Sequence, residues 1–203
     1  MYLLIGPRDS AGEAQAFRAM FEARKRVFVD LLKWDVPVLA GRYEVDQFDD
    51  PHAVYLILLD AAGGHLASAR LLETERPHLL DTMFPELCGG PAPRGANVRE
   101  ITRFCLDRDL SAADRRRARD TLVVGLAEYA LLAGIDSYTG VAEHAWLAQI
   151  LRFGWRCALL GQPDDTGLGA LQIHIDPETP ALLRASGLCP ITTLADAVRR
   201  DAA

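Results

Sequence analysis

Lysine is nearly missing from this chain. Of its 22 basic residues only Lys25 and Lys33 are lysines, the other twenty are arginines, and 28 acidic residues leave a formal charge of −6. That balance excludes a generally basic protein that grips nucleic acid phosphates without regard to sequence. The arginine excess itself reads first as the composition of a GC-rich genome. Cysteine is sparse: Cys88, Cys105, Cys157 and Cys189 lie far apart with no C-x-x-C pair, the pattern of reduced thiols in a cytoplasmic protein and not of a disulfide scaffold. The five histidines, at 52, 65, 78, 144 and 174, form no H-x-x-H or H-E-x-x-H pair, so no metal is expected. Long apolar runs are absent too. The stretches 54–59 and 121–132 are short or interrupted by Gly125 and Glu128, so no membrane span is expected, and residues 1–9 lack the basic and apolar regions of a signal peptide.

What remains is an ordinary globular composition, half hydrophobic and one quarter charged, over 203 residues; a single domain spanning residues 1–203 is expected. Ser10 with Glu13 is a capping-box signature, followed by helical spacing of Ala14, Phe17, Met20, Phe21 and Ala23, so a helix is predicted from about Ala11 to Val27. Residues 36–51 show neither period and read as a long loop carrying Glu44, Asp46, Asp49 and Asp50. Ala53–Leu59 and Leu66–Leu72 read as a hairpin about a Gly-containing turn, and Val98–Leu106 as a strand. A regular strand there places Glu100, Thr102 and Phe104 on one face and Arg103 on the other; a bulge changes that assignment. Ser111 with Asp114 opens a long helix that ends at Gly134. Strands at 135–141, 155–159 and 171–175 then alternate with helices at 144–153 and 180–186, with a terminal helix near 194–200. Helices alternating with strands after a hairpin make the class α/β, with a mixed central sheet covered on both faces.

Individually the polar and aromatic residues of the first half have plain explanations. Phe28 and Trp34 suit a core beside a helix end, Asp46 and Asp49 suit turns, and Arg70 suits a solvent face. Their joint spacing is what carries information. Arg24-x-x-x-Phe28, Trp34, the segment Glu44-Val-Asp46-Gln-Phe-Asp49, Arg70, Phe84 and Arg99-Glu100-Ile-Thr102-Arg103-Phe104 together resemble the acyl-homoserine-lactone synthases of the LuxI type. The likeness continues through Tyr138-Thr139-Gly140-Val141 and Ile150 to Trp155, about two thirds of the chain.

The resemblance implies a three-layer α-β-α sandwich similar to the GNAT acyltransferases. It also implies an enzyme that acylates the amino group of S-adenosylmethionine from an acyl thioester and closes a lactone, releasing methylthioadenosine. S-adenosylmethionine would be a substrate, and no cofactor is implied. The residue types suit that chemistry. An α-amino group with an ordinary pKa of about 7.7 to 8.0 must lose a proton before it attacks a thioester, and a positioned carboxylate contributes roughly 10²- to 10⁴-fold to such a step. Glu100 is the candidate base, with an ion pair to Arg70 or Arg103 as its plain structural role. Asp46 and Asp49 would favour the sulfonium and ammonium charges, while Arg24, Arg70 and Arg103 would hold the acids or bind the methionyl carboxylate. Phe28, Trp34 and Phe104 would offer aromatic faces to the cation or to adenine.

An apolar slot for the acyl chain is expected from the second half of the chain, with Val141, Trp146 and Leu151 among its lining. Thr139 stands where the family has a threonine associated with donors oxidised at the third carbon. Thr102 would orient the thioester or satisfy the sheet. No glycine occurs from Ala96 to Val124, where a coenzyme A pyrophosphate turn would be expected; this favours delivery on acyl carrier protein, although acyl-coenzyme A serves some members. Arg115, Arg116 and Arg119 form a basic patch suited to an acidic carrier protein or to a solvated helix face. Two other readings remain: a GNAT-like N-acyltransferase with another amine acceptor, and a non-catalytic acyl- or nucleoside-binding module.

Overall fold

In chain order the elements are β1 (Tyr2–Gly6), α1 (Ala14–Arg24), β2 (Val38–Leu39), β3 (Tyr43–Glu44), β4 (Val54–Leu59), β5 (His65–Glu73), α2 (Leu79–Thr82), β6 (Val98–Leu106), α3 (Ala112–Ala133), β7 (Ser137–Glu143), α4 (His144–Ile150), β8 (Arg156–Leu159), β9 (Leu168–His174) and α5 (Thr179–Ala185). The structure is a computed structural model that describes residues 2–6 and 13–194. Ser10 of the expected capping box and nearly all of the expected terminal helix lie outside the described residues. The chain forms two compact units. The first takes the chain up to Arg70, Arg103–Gly125 and the chain from Cys189; the second takes Leu71–Thr102 and Leu126–Leu188.

In the first unit the strand order is β1-β4-β5-β6, and β1 pairs antiparallel with β4 from Tyr2 opposite Leu59 to Gly6 opposite Tyr55. Tyr55 to Leu59 are consecutively buried, so β4 is packed on both faces, which explains its unbroken apolar run. Helix α1 buries Phe17, Met20 and Phe21. Phe17 meets the ring of Tyr55 edge-on at 5.4 Å.

Two sequence expectations change here. Helix α1 does not stop near Val27 but continues as a π-helical stretch over Lys25–Leu31, a widened turn of the kind found at functional sites. The expected loop at 36–51 contains the small antiparallel pair β2 and β3. Its connecting turn has positive φ at Ala40 and Gly41, as a type I′ turn requires.

In the second unit the order is β5-β6-β7-β9-β8. Strands β6 and β7 are parallel, with Glu100 beside Thr139, while β9 runs antiparallel to β7 and β8, so the sheet is mixed as expected. Leu80, Leu87 and Ala170 form a buried cluster against which Phe84, Val141 and Leu168 pack. Helix α2 supplies Leu80 to this cluster and had no sequence signal: four residues are too few to show a period.

Ser111 and Asp114 do form the cap of α3. The Asp114 N–H donates to Ser111 Oγ at 3.1 Å and the hydroxyl donates back to the Asp114 carboxylate at 2.7 Å. Gly134 follows the helix with a φ of 68°, the left-handed C′ position that glycine fills without strain. No described helix is long and apolar enough to cross a membrane. Ser111→Ala is expected to cost about 1 kcal/mol, the usual loss for an N-cap, read as a lower urea midpoint with unchanged slope.

Candidate active site

The first unit holds a closed ring of alternating charges. Arg24 ends α1, Glu44 ends β3, Asp46 and Asp49 lie in the turn that follows, Arg70 is on β5 and Arg103 on β6. Arg24 Nε meets Glu44 Oε2 at 2.5 Å, and its two terminal nitrogens fork onto Asp49 at 2.8 and 2.9 Å. Arg70 forks onto Asp46 at 2.6 and 3.1 Å and reaches Asp49 at 2.9 Å. Arg103 closes the circuit, with Nη2 at 3.0 Å from Glu44 and 2.7 Å from Asp46. Three guanidinium groups thus face three carboxylates in a set that is buried almost throughout. Paired, forked contacts are what make such burial tolerable.

Burial by itself raises the Asp49 carboxyl, but the charge and hydrogen bonds of Arg24, with Arg70 behind them, outweigh it and hold the group well below the ordinary carboxylate range. Asp46 is lowered in the same way: burial opposes, while the hydrogen bond and charge of Arg70 and the charge of Arg103 prevail. Burial alone would lower Arg24 and Arg70, but Asp49 with Glu44 raises Arg24, and Asp46 with Asp49 raises Arg70. Asp49 is further bonded by the Tyr55 hydroxyl at 2.7 Å and the Asp46 N–H at 2.8 Å.

Arg24, Asp46, Asp49, Arg70 and Arg103 were all expected from sequence, and the structure brings them together. The carboxylate that completes their ring is Glu44, for which the sequence suggested no role of its own. Its signal was present: Glu44 and Asp46 are two residues apart around an extended strand end, a spacing that turns both to one side. Tyr55 was missed because its position looks like plain core.

Arg103 carries the one irregularity of β6. Its φ is 50°, a left-handed conformation that costs a non-glycine residue roughly 1–2 kcal/mol and is sustained here by Glu44 and Asp46. Burial alternates regularly through Val98, Glu100 and Thr102 and then slips, so that Cys105 is buried and Phe104 only half-buried. The regular-strand expectation that grouped Phe104 with Glu100 and Thr102 therefore fails, in the way a bulge changes facing.

Phe28, in the π-helical stretch, stacks on Trp34 with centroids 4.8 Å apart and planes 15° from parallel. The Arg103 guanidinium lies 5.6 Å from the Phe28 ring and 5.8 Å from Trp34. The expected aromatic faces are present, and the cation they hold in this structure is Arg103.

In the second unit Glu100 is fully buried. Its two carboxylate oxygens accept the backbone N–H groups of Leu79 and Leu80 at 2.7 and 2.8 Å. These two bonds tie Glu100 to the start of α2, while Arg70 and Arg103 are bonded to Asp46, Asp49 and Glu44 in the first unit. Thr139, next to Glu100 in the parallel pairing, is fully buried and its hydroxyl has no hydrogen-bond partner. Val141, two residues on along β7, packs against the Leu80, Leu87 and Ala170 cluster. Thr102 is buried, and Trp146 is half-buried with its ring edge-on to Phe153 at 5.7 Å. Leu151 stands exposed at the end of α4. Of the basic patch, Arg119 is tied to Asp120 at 2.6 Å and Arg115 to the Arg108 carbonyl, while Arg116 is exposed. Among the described residues no group of three histidine, cysteine or acidic side chains is placed to hold a metal.

Comparison with known proteins agrees with this arrangement. The model of the autoinducer synthase family matches residues 10–179. An acyl-homoserine-lactone synthase of Ralstonia nicotianae is 33% identical over 177 residues, covering 83% of this chain and 87% of its own. Among solved structures, TofI in a ternary complex with an inhibitor and MTA is 31% identical with a TM-score of 0.74, covering 93% of this chain and all of its own. The CoA-dependent acyl-homoserine lactone synthase MesI is 28% identical with a TM-score of 0.82, covering 94% and 98%. An acyl-CoA N-acyltransferase from Pseudomonas aeruginosa, 14% identical with a TM-score of 0.51, shares the fold alone, which is α/β and GNAT-like.

The depressed carboxyls set a pH dependence. A carboxyl lowered on folding contributes stability that is full above its unfolded pKa, about 3.9 for aspartate, and is lost as pH falls through the folded value. The urea midpoint is expected to fall steadily below about pH 5. Asp49→Asn is expected to cost roughly 3–5 kcal/mol at pH 7, because it strands Arg24 and Arg70, and to make the acid fall shallower. Equal slopes against pH in the two proteins would contradict this.

Proposed function

The chain belongs to the autoinducer synthase family, and we propose that it acylates the α-amino group of S-adenosylmethionine from an acyl thioester and closes the product to an N-acyl-homoserine lactone, with methylthioadenosine (MTA) leaving. The observation that carries this reading is the closed ring of three arginines and three carboxylates beside the Phe28–Trp34 pair, in a chain whose relatives are synthases. We read the whole chain, 1–203, as one synthase domain, because β5, β6 and α3 each pass unbroken through both units.

The roles follow from the chemistry of each group. The ring is a rigid mount: Arg24, Asp49 and Arg70 are held by one another and by Glu44, Asp46 and Tyr55, and Arg103 is the member set against the aromatic pair. Phe28, Trp34, Arg103 and Phe104 then receive S-adenosylmethionine, the rings facing adenine or sulfonium and the guanidinium facing the methionyl carboxylate. Glu100 takes the ammonium proton, directly or through a water. Once the amide exists, lactonisation needs the carboxylate held in line with the carbon bearing the sulfonium, which is a matter of positioning.

Thr139, with its unpartnered buried hydroxyl, would hydrogen-bond an oxygen on the third carbon of the acyl chain, while Val141 with Leu80, Leu87 and Phe84 lines the apolar part. Thr102 and Trp146 complete the acyl side, with Leu151 at its outer end. The donor is read as acyl carrier protein, since exposed Arg116 and neighbouring Arg115 and Arg119 suit an acidic partner. The CoA dependence of MesI makes acyl-coenzyme A the competing donor. We read the protein as cytoplasmic, a reading that its four free cysteines support.

Purified protein mixed with S-adenosylmethionine and a panel of carrier-protein and coenzyme A thioesters is expected to yield an acyl-homoserine lactone and MTA by mass. Folded protein giving no lactone with any donor would sink the reading, and an amide product without MTA would favour the other N-acyltransferase. In the same panel Thr139→Val is expected to lower the kcat/KM ratio of 3-oxo to unsubstituted donors about tenfold, one neutral hydrogen bond's worth. A ratio equal to that of the original protein would remove Thr139 from donor selection.

A further inference from the structure

Amide formation from an ammonium and a thioester takes two protons from one nitrogen, the first before the attack and the second after it. The balance is R–NH₃⁺ + R′CO–SR″ → R′CO–NH–R + HSR″ + H⁺. The nitrogen gives up two protons: one ends on the departing sulfur and the other must leave the site. Lactonisation adds none, because the carboxylate displaces a neutral thioether. Glu100, as the base read above, still holds the first proton when the second must pass from nitrogen to the departing sulfur, so a second group that accepts from nitrogen and gives to sulfur has work to do.

We propose that His78 is that second proton acceptor. His78 is fully buried and directly precedes α2, and the next two residues, Leu79 and Leu80, are those whose N–H groups bond Glu100. Its Nδ1 lies 2.9 Å from the Arg76 carbonyl oxygen. A carbonyl only accepts, so Nδ1 carries the hydrogen and Nε2 presents a bare lone pair. Nε2 is buried and without a hydrogen-bond partner among the described residues. On the other side of the ring, Asp81 Oδ2 lies 3.6 Å from Nδ1, ready to stabilise the imidazolium once Nε2 is protonated, while Arg94 holds Asp81 at 3.0 Å. Carbonyl and carboxylate on Nδ1 with an unpartnered Nε2 is the orientation of a general base. A histidine serving only to pack would have no reason to leave that nitrogen unsatisfied, at a cost of about 1–3 kcal/mol. The charged groups that bear on the ring are Asp81, Arg94 through Asp81, and Glu100 through the start of α2.

The proposal rests on the reading of Glu100 as base, and His78→Gln and Glu100→Gln tested side by side separate the two. Acyl transfer is followed as thiol release from pH 6 to 9, with S-adenosylmethionine binding by calorimetry and folding by circular dichroism. His78→Gln is expected to lose about 10²-fold in kcat, to lose the acid limb of the pH profile, and to bind S-adenosylmethionine within about twofold of the original; His78→Gly is expected to recover activity with added imidazole. If His78→Gln does not fold, Asp81→Asn serves: its acid limb should move to lower pH, because the imidazolium has lost its carboxylate. A His78→Gln protein with unaltered kcat and pH profile, or an Asp81→Asn protein with an unmoved limb, overturns the proposal. Loss in His78→Gln with full activity in Glu100→Gln overturns the reading of Glu100 and leaves His78 standing.

Discussion

The carboxylate of Asp49 is the contact on which the first unit depends. Five donors converge on its two oxygens: both terminal nitrogens of Arg24, one of Arg70, the Tyr55 hydroxyl and the Asp46 N–H. A buried carboxylate is tolerable only when its charge and lone pairs are matched in this way. The five donors come from four parts of the chain, so Asp49 joins the end of α1, β4, β5 and the turn after β3. The rest of the ring passes the constraint on, through Glu44 to Arg103 and through Asp46 back to Arg70. Removing any one member leaves two opposite charges short of a partner inside protein, which is why such a set behaves as a unit and its members' contributions do not add.

The same ring explains the strain at Arg103. A guanidinium that must reach both Glu44 and Asp46 while lying beside Phe28 and Trp34 cannot do so from a regular extended backbone, and the chain pays with a left-handed residue in the middle of β6. The π-helical stretch answers from the other side. By widening the turn that carries Phe28, it continues α1 far enough for Phe28 to meet Trp34 while Arg24, one turn earlier, stays locked to Asp49. Backbone irregularities on two elements thus serve one cluster of side chains, the circumstance in which strained conformations are retained.

Much of this was legible in the sequence. Strand β6 and the cap and end of α3 appear where alternation and capping chemistry put them, because those signals are local. Five of the six ring residues could be picked out by their spacing. Glu44 was given no role, although its two-residue spacing from Asp46 put it on the same side, because that spacing does not say which acid of the loop a distant arginine will choose. The Leu79 and Leu80 N–H groups that bond Glu100 were not foreseen for a related reason: backbone N–H groups at the start of a four-residue helix leave no mark in the sequence, whereas arginines are conspicuous. Leu151 was counted with the apolar lining on side-chain type, and type alone does not show that it stands exposed at the end of α4.

The two units treat buried polar groups differently, and the difference bears on where chemistry can occur. In the first, the six ring residues satisfy one another, and such a set is stiff and costly to rearrange. Arg26 and His65 of that unit also leave one nitrogen unbonded, yet Asp107 stands beside both, 2.6 Å from Arg26 and 3.8 Å from His65. In the second unit the Thr139 hydroxyl lies on a strand beside Glu100 with no bond of its own, and His78, whose Nε2 has no bond among the described residues, directly precedes the helix start that Glu100 holds. An acceptor or hydroxyl left unsatisfied in a well-packed interior is retained against its cost when something else completes it. A rigid mount suits the recognition of a substrate with fixed charges, and open polar atoms suit the transfer of protons and the reading of an acyl chain.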